Sequence, residues 1–137
     1  MAPNTKKLRI RRAAWIESEM LYSEAFRTLP RTAMWMIMCF HEKVTWTYTK
    51  VGGRKIRVRN LDGLTYPASE SEAFGIPRAS HYRNMDILYR RGFIDYNHRG
   101  GEHRRDFSRY KLIEDWKEWP KNEKTLNDKP PMKGLQL

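Results

Sequence analysis

The stretch that decides the fold runs from Leu64 to Ile113 and reads LTYPASESEAFGIPRASHYRNMDILYRRGFIDYNHRGGEHRRDFSRYKLI. Gly75 follows a short polar helical run and Gly92 a longer amphipathic one, and glycine readily adopts the left-handed conformation that ends a helix. Ser69 and Glu72 have the spacing of a capping box. The pattern predicts a short strand at 64–66, a helix at 67–74, a second helix at 78–91, and strands at 93–96 and 107–112.

That order of strand, helix, tight turn, helix and β-hairpin is the layout of a winged helix-turn-helix, whose second helix enters the major groove of DNA. Ser23 is expected to cap a short helix that follows an extended segment. A further helix begins near Pro30 and continues through the wholly apolar run 33–40, which predicts burial on most of its sides. Residues 44–59 then alternate around Gly52-Gly53, as in a hairpin with a primed turn. The predicted fold class is α+β: a winged helix-turn-helix with an additional basic β-hairpin between the first core helix and the helix-turn-helix.

Positive charge is concentrated in three blocks. The chain has 27 Lys+Arg against 16 Asp+Glu, a net charge of +11. Residues 1–12 carry five basic and no acidic side chains, residues 31–62 carry seven and two, and residues 78–111 carry nine and four. Blocks of one sign suit a polyanionic partner. The alternatives are a charge that only aids solubility, or an affinity for anionic lipid.

A chain of 137 residues is expected to form one domain. We place a winged-helix domain at 13–119, between a disordered basic arm at 1–12 and a disordered tail at 120–137. The one cysteine, Cys39, excludes an intrachain disulfide and suits a reducing compartment. No apolar run approaches the ~20 residues of a membrane span, and no apolar signal segment follows the basic arm. We therefore expect no membrane partner, and a cytoplasmic, nucleoid-associated location in a bacterium.

The helix predicted at 78–91 has an outer face rich in hydrogen-bonding groups over its first two turns. An arginine offers paired donors to the O6 and N7 of guanine, and such a pair is worth about 1–3 kcal/mol of discrimination between bases. We predict that Arg78 and Arg83 meet base edges or nearby phosphates, and that Ser80 and Tyr82 contact phosphate or a thymine methyl. The alternative is that Arg83 only pairs with a neighbouring carboxylate, an interaction worth little at a surface. The opposite, apolar face consists of His81, Met85, Leu88 and Tyr89.

The loop at 97–106, between the last two strands, is the predicted wing. Gly100-Gly101 lets it bend, and its basic side chains suit a minor groove or a line of phosphates. Thr65 and Tyr66 precede the first helix of the pair and are candidates for phosphate contacts. The residues of the wing and its strands that we expect on DNA are Arg99, His103, Arg104, Arg105 and Arg109.

Other chemistries have little support in the sequence. The chain has four histidines but no Cys-x-x-Cys, and His98 and His103 share one loop without a second pair of ligands, so no zinc site is expected. It has no glycine-rich phosphate loop, Walker lysine or His-Glu-x-x-His motif. We therefore expect no enzymatic activity, no catalytic or metal-binding residue and no cofactor.

Several short motifs occur in a fixed order: Thr65-Tyr66, Gly75-Ile76, Arg83, Gly92-Phe93-Ile94-Asp95, Ser108-Arg109-Tyr110 and Trp116. Over about residues 20–119 this set resembles a family of bacterial winged-helix proteins whose members often lie near phage-like or plasmid-like replication genes. The chain departs from the family pattern at Pro77, where the family has a capping serine, and at His81, where an apolar residue packs. We expect His81 to be a half-buried, hydrogen-bonded histidine.

The sequence thus predicts a module that binds double-stranded DNA, with the helix 78–91 in the major groove and the wing on the minor groove or phosphates. The resemblance implies a transcription regulator or a replication-initiation factor of a mobile element. A homodimer is compatible with such a role, because winged-helix readers often span two half-sites. Two alternatives stay open: a protein–protein adaptor with a tryptophan-rich surface, and an RNA-binding module that uses the basic hairpin and arm. The basic face of the hairpin either contacts phosphates or is simply solvated.

Overall fold

The computed structural model of the protein describes residues 13–101 and 106–132. The basic arm predicted at 1–12 lies outside these residues, as do the predicted wing contacts His103, Arg104 and Arg105. The described part is an α+β fold with five α-helices and two small antiparallel hairpins, which is compatible with a winged-helix class. None of its helices is long and apolar enough to cross a bilayer.

Three helices occupy the N-terminal third: α1 (Ser18–Tyr22), α2 (Glu24–Arg27) and α3 (Arg31–Lys43). The predicted cap is confirmed, because the Ser23 hydroxyl accepts a hydrogen bond from the Phe26 amide at 3.2 Å. The segment before Ser23 is helical, so the extended chain predicted there is wrong for 18–22.

Helix α3 is less enclosed than its apolar run suggested. It buries one side, which consists of Ala33, Met36, Ile37 and Phe40. Met38, on another side, keeps 40% of its surface exposed. Methionine has a flexible side chain and tolerates such a partly exposed position.

The basic hairpin is confirmed as β1 (Thr45–Val51) paired with β2 (Arg54–Asn60). Gly52 and Gly53 join the strands with φ angles of 56° and 79°, the two positive values that a primed two-residue turn requires. Every residue of both strands is exposed except Arg59, which is half-buried. The hairpin therefore projects from the domain.

The predicted pair of helices is present as α4 (Ala68–Glu72) and α5 (Arg78–Arg90), with Gly75 between them at a φ of 84°. The predicted capping box is wrong. Helix α4 begins at Ala68, so Ser69 lies inside the helix and no side chain caps its start. Glu72 instead pairs with Arg78 across the turn.

The second hairpin follows α5. Strand β3 (Ile94–His98) pairs with β4 (Arg109–Leu112), and both are shifted by one or two residues from the predicted bounds. Leu64 and Tyr110 exchange backbone hydrogen bonds of 2.8 and 2.7 Å, so the strand predicted at 64–66 is reduced to a single bridge residue, Leu64, beside the two-stranded hairpin.

The core lies where α3, α5 and the second hairpin meet. The Phe40 ring packs edge-on against the rings of Tyr66 and Tyr110, with centroids 5.0 and 5.5 Å apart. Behind β3, a 3₁₀ turn at Asp115–Glu118 brings Trp116 onto Phe93, with stacked rings 6.3 Å apart. This packing holds one side of α5 against the hairpin.

Residues 120–132, for which we expected disorder, run along α5. The Lys124 amide donates to the Arg90 carbonyl at 2.9 Å, and the ammonium of Lys129 pairs with the Asp86 carboxylate. A short 3₁₀ turn, Leu126–Asp128, lies between them. The segment is polar and has no apolar period, so composition alone did not indicate these contacts.

His41, near the end of α3, is a half-buried base that the sequence did not single out. Its Nδ1 has no hydrogen-bond partner among the described residues. Desolvation, and then the positive charge of Arg59, lower its pKa from 6.5 to about 4. The His41 ring therefore stays neutral in the folded protein at a pH where the same ring binds a proton in the unfolded chain.

We expect this difference to reduce stability as pH falls from 6.5 towards 4, because only the unfolded state gains the proton in that window. Between pH 7.5 and 4.5 the wild type should lose about 2 kcal/mol more of its unfolding free energy than a His41→Gln variant. Urea unfolding at the two pH values measures the difference. Equal losses in the two proteins would contradict the assignment.

Candidate nucleic-acid interface

The first two turns of α5 present three side chains that can bind a nucleic acid: Arg78, Tyr82 and Arg83. All three are exposed, Tyr82 by 52%, and Arg78 by 61% of its side chain. Arg78 and Tyr82 are one helical turn apart and lie on the same side of the helix, whereas Arg83, the residue after Tyr82, points about 100° further round, also into solvent. The surface combines two guanidinium groups with one phenol.

The two arginines differ in their surroundings. Arg78 lies beside Glu72, with its Nε 3.0 Å from Oε1, and its Nη1 lies 3.5 Å from the Tyr82 hydroxyl. The Arg83 side chain makes no hydrogen bond or ion pair with another described residue, so the carboxylate pairing considered for it is absent there and occurs at Arg78 instead. An exposed ion pair is worth at most about 1 kcal/mol. Arg78 can therefore exchange Glu72 for a phosphate at little cost.

His81 fixes the inner side of the same turn. It is 1% exposed, and its Nδ1 lies 2.7 Å from the hydroxyl of Ser71, which is itself fully buried on α4. The predicted hydrogen-bonded histidine is confirmed, although it is buried more deeply than half. Desolvation lowers its pKa, which favours the neutral ring. The bond ties α4 to α5 and so sets the direction in which the outer side of α5 faces.

Ser80 is less available than predicted. It is half-buried, and both its carbonyl and its hydroxyl accept hydrogen bonds from Nδ2 of Asn84, at 2.7 and 3.2 Å. The sequence did not point to Asn84 as a buried residue, yet it is only 5% exposed. This pair stabilises the helix from within rather than offering a free donor.

The two candidate residues before α4 differ in exposure. Thr65 is exposed and its hydroxyl is available. Tyr66 is 3% exposed and packs on Phe40 and His81, so its predicted phosphate contact does not fit its position. Burial also raises the pKa of its hydroxyl. A tyrosine has an apolar ring and a polar tip, and sequence alone does not tell which of them decides its place.

At the base of the wing, Arg109 is exposed at the start of β4, while Arg99 is half-buried and donates to the Pro130 carbonyl at 3.2 Å. The loop is closed by a contact of 2.6 Å between Nε2 of His98 and the Asp106 carboxylate. Gly100 has no room for a side chain, since a Cβ there would lie 2.2 Å from the Asp106 carbonyl oxygen. The wing is therefore pinched at its base.

A groove of about 340 Å³ separates the start of α5 from the base of the wing. Arg78 and Tyr82 line one side of it, and Phe107 and Ser108 line the other. Met132, from the C-terminal segment, reaches its edge beside Gly101. The helix and the wing thus face a common space.

The C-terminal segment divides the outer side of α5 into two halves. Lys129 covers Asp86 in the second half of the helix. In the first half, Arg78 and Tyr82 line the groove whose edge Met132 of the same segment reaches, and Arg83 lies outside that lining. The hydrogen bond and ion pair between the segment and α5 therefore lie in the second half of the helix, at Arg90 and Asp86, and the exposed side chains of Arg78, Tyr82 and Arg83 lie in the first half.

Within the described ranges no three residues of the types His, Cys, Asp and Glu are grouped so that they can hold a metal ion. No protein-family model, curated protein or solved structure matches this chain.

Proposed function

We propose that this protein binds double-stranded DNA as a winged helix-turn-helix, with α5 in the major groove and the hairpin β3–β4 beside it on phosphates or in the minor groove. In this proposal α4 and α5 are the helix pair, and the loop between β3 and β4 is the wing. Its biological role is that of a transcription regulator or a replication-initiation factor.

The observation that carries the proposal is the exposed first half of α5. A recognition helix needs one side locked into the protein and the other free with donors in its first turns. Here His81, Met85 and Leu88 are buried, while Arg78, Tyr82 and Arg83 are exposed. Because Arg83 has no partner among the described residues, no internal bond must be broken before it contacts DNA.

The wing side adds to this support. Arg109 is exposed on β4, and the shared groove brings the wing base near the start of α5. The whole chain carries a net charge of +11, which attracts a polyphosphate at long range.

The proposal is tested by the variant Arg83→Ala, with Arg31→Ala as the matched control. Arg31 is exposed at the start of α3 and has no ion pair with a described residue, so both variants lose one surface charge. Duplexes selected from a random pool serve as the probe, and fluorescence anisotropy measures the dissociation constant. We expect Arg83→Ala to weaken binding about tenfold, since one guanidinium contact is worth about 1–3 kcal/mol, and Arg31→Ala to change it less than twofold.

The salt dependence separates two ways in which Arg83 can act. A phosphate contact lowers the log–log salt slope by about 0.9 when it is removed. A base contact leaves that slope nearly unchanged and relaxes the preference at one position of the selected site. Equal weakening by the two variants, or no selected duplex at all, would overturn the proposal. Two-fold symmetry of the selected sites would support the homodimer.

A further inference from the structure

The projecting hairpin β1–β2 has one face made of aromatic and basic side chains. In its register Trp46 is opposite Arg59, Tyr48 is opposite Arg57, and Lys50 is opposite Lys55. Directly opposed residues, and residues two apart on one strand, point to the same side of an antiparallel pair. These six residues form what we call the aromatic–cationic face: Trp46, Tyr48, Lys50, Lys55, Arg57 and Arg59.

This face carries uncompensated positive charge. Residues 45–60 contain five basic side chains and no acidic one. Arg59, at the base, pairs with Glu17 at 3.3 Å. Lys50, Lys55 and Arg57 make no ion pair with any residue in the described part of the chain. These three cations can therefore bind a polyanion without first breaking an ion pair within the protein.

The two aromatic rings on this face, Trp46 and Tyr48, differ in how many contacts they make within the protein. Trp46 is stacked on Trp15 with centroids 5.3 Å apart, and the Arg57 guanidinium lies 4.4 Å from the Trp46 ring centroid. Trp15 is in turn covered by Arg59 at 5.2 Å. These contacts anchor the hairpin to the N-terminal segment. They occupy part of the Trp46 ring, which keeps 36% of its surface exposed against 70% for Tyr48.

Tyr48 is the exception. It is 70% exposed, and its side chain makes no hydrogen bond and no ring contact with another described residue. An aromatic ring that is neither packed nor bonded, between Lys50 and Arg57, has the composition of a platform on which a base stacks while its phosphates meet cations.

We propose that the aromatic–cationic face binds unpaired DNA, with one base stacked on Tyr48 and the phosphates on Lys50, Lys55 and Arg57. An unpaired strand is favoured over a duplex because a base inside a duplex is stacked on both sides and offers no free face to the ring. The choice of DNA as the polymer rests on the function proposed above. The residues are distinct from those of α5, so each site is tested separately.

The experiment compares Tyr48→Ala, Tyr48→Phe and Thr49→Ala. Thr49 is the exposed neighbour on the opposite face of β1, so its variant controls for a general effect on the hairpin. Anisotropy is measured with a labelled mixed-sequence single strand, the RNA of the same sequence, and the matching duplex. Thermal unfolding establishes that each variant is folded.

We expect Tyr48→Ala to weaken binding of the single DNA strand about tenfold, which lies in the range that stacking of one base on an aromatic ring contributes. Tyr48→Phe should retain the affinity, because the ring does the stacking, and Thr49→Ala should retain it too. Duplex binding should be unchanged in all three. Loss of duplex binding by Arg83→Ala with intact single-strand binding identifies the two sites as separate.

Three results would overturn this inference. In the first, Tyr48→Ala binds the single strand as tightly as the wild type does. In the second, it loses duplex and single-strand affinity equally, which makes the hairpin a sequence-independent phosphate contact. In the third, RNA is bound more tightly than DNA of the same sequence. A protein that binds no duplex but still loses single-strand affinity on Tyr48→Ala refutes the function proposed for α5 and leaves this site standing.

Discussion

Trp116→Ala is expected to lower the unfolding free energy by about 3–5 kcal/mol, the usual cost of truncating a buried aromatic side chain to alanine. Trp116 is 4% exposed and stacks on Phe93 behind the second hairpin. Since domains of this size are stable by only about 5–15 kcal/mol, the loss is a large share of the total. Urea unfolding followed by circular dichroism measures it.

Trp119→Ala is the matched control. Trp119 is half-buried, with the Arg91 guanidinium 4.2 Å from its ring centroid and its indole N–H donating to Glu123 at 3.2 Å. Trp119 also packs partly against the core. Its truncation should therefore cost the roughly 1 kcal/mol of the cation–π contact and the hydrogen bond plus a partial loss of apolar burial, in sum less than the cost of Trp116→Ala. Equal decreases in unfolding free energy for the two variants would contradict the view that Trp116 contributes more to the core than Trp119 does.

Gly92→Ala is expected to cost about 3 kcal/mol, combining the strain of a left-handed residue with the displacement of a packed neighbour. Gly92 ends α5 with a φ of 84°. A Cβ there would lie 2.5 Å from the Cβ of Asp115 and 2.9 Å from the Trp116 amide nitrogen. Both neighbours belong to the 3₁₀ turn, and the backbone atoms among them cannot rotate away. The shift of the urea midpoint, at constant slope, measures the effect.

Gly63→Ala separates the strain from the clash. Gly63 has a φ of 70°, but nothing lies within 4 Å of a Cβ built there. Only the left-handed strain remains, about 1 kcal/mol. If Gly63→Ala destabilised the protein as much as Gly92→Ala, the close approach at Gly92 would not be the cause.

Elements that carry a local signal were predictable from the sequence. Gly52-Gly53 between alternating runs located the first hairpin, and Gly75 and Gly92 located the ends of the helix pair, because few other residues adopt those backbone angles. The apolar period of α5 identified its buried side, including His81. Strand bounds moved by one or two residues, since pairing depends on the partner strand and not on the strand alone.

Features that depend on distant residues were missed. Nothing near Lys129 indicates that it pairs with Asp86, 43 residues earlier, or that residues 120–132 follow α5. Tyr66 was placed on the candidate interface because its hydroxyl suits a phosphate, yet its ring fills the core beside Phe40. Trp15 lies outside any strand, so its stacking on Trp46 had no periodic signal. In each case the tertiary contact overrides what the residue type suggests.

The two-stranded sheet β1–β2 also affects how readily the protein aggregates in solution. Each strand has one backbone edge with no partner within the described residues, and such open edges invite strands of other copies to add and aggregate. Mutual repulsion between the five hairpin cations opposes this at moderate ionic strength, where charges act over about 10 Å, but in 1 M salt the range shrinks to about 3 Å. A wash in 1 M salt, which removes bound nucleic acid during purification, therefore also screens the repulsion that keeps the hairpins of different molecules apart. We expect the turbidity of the solution to increase with both salt and protein concentration.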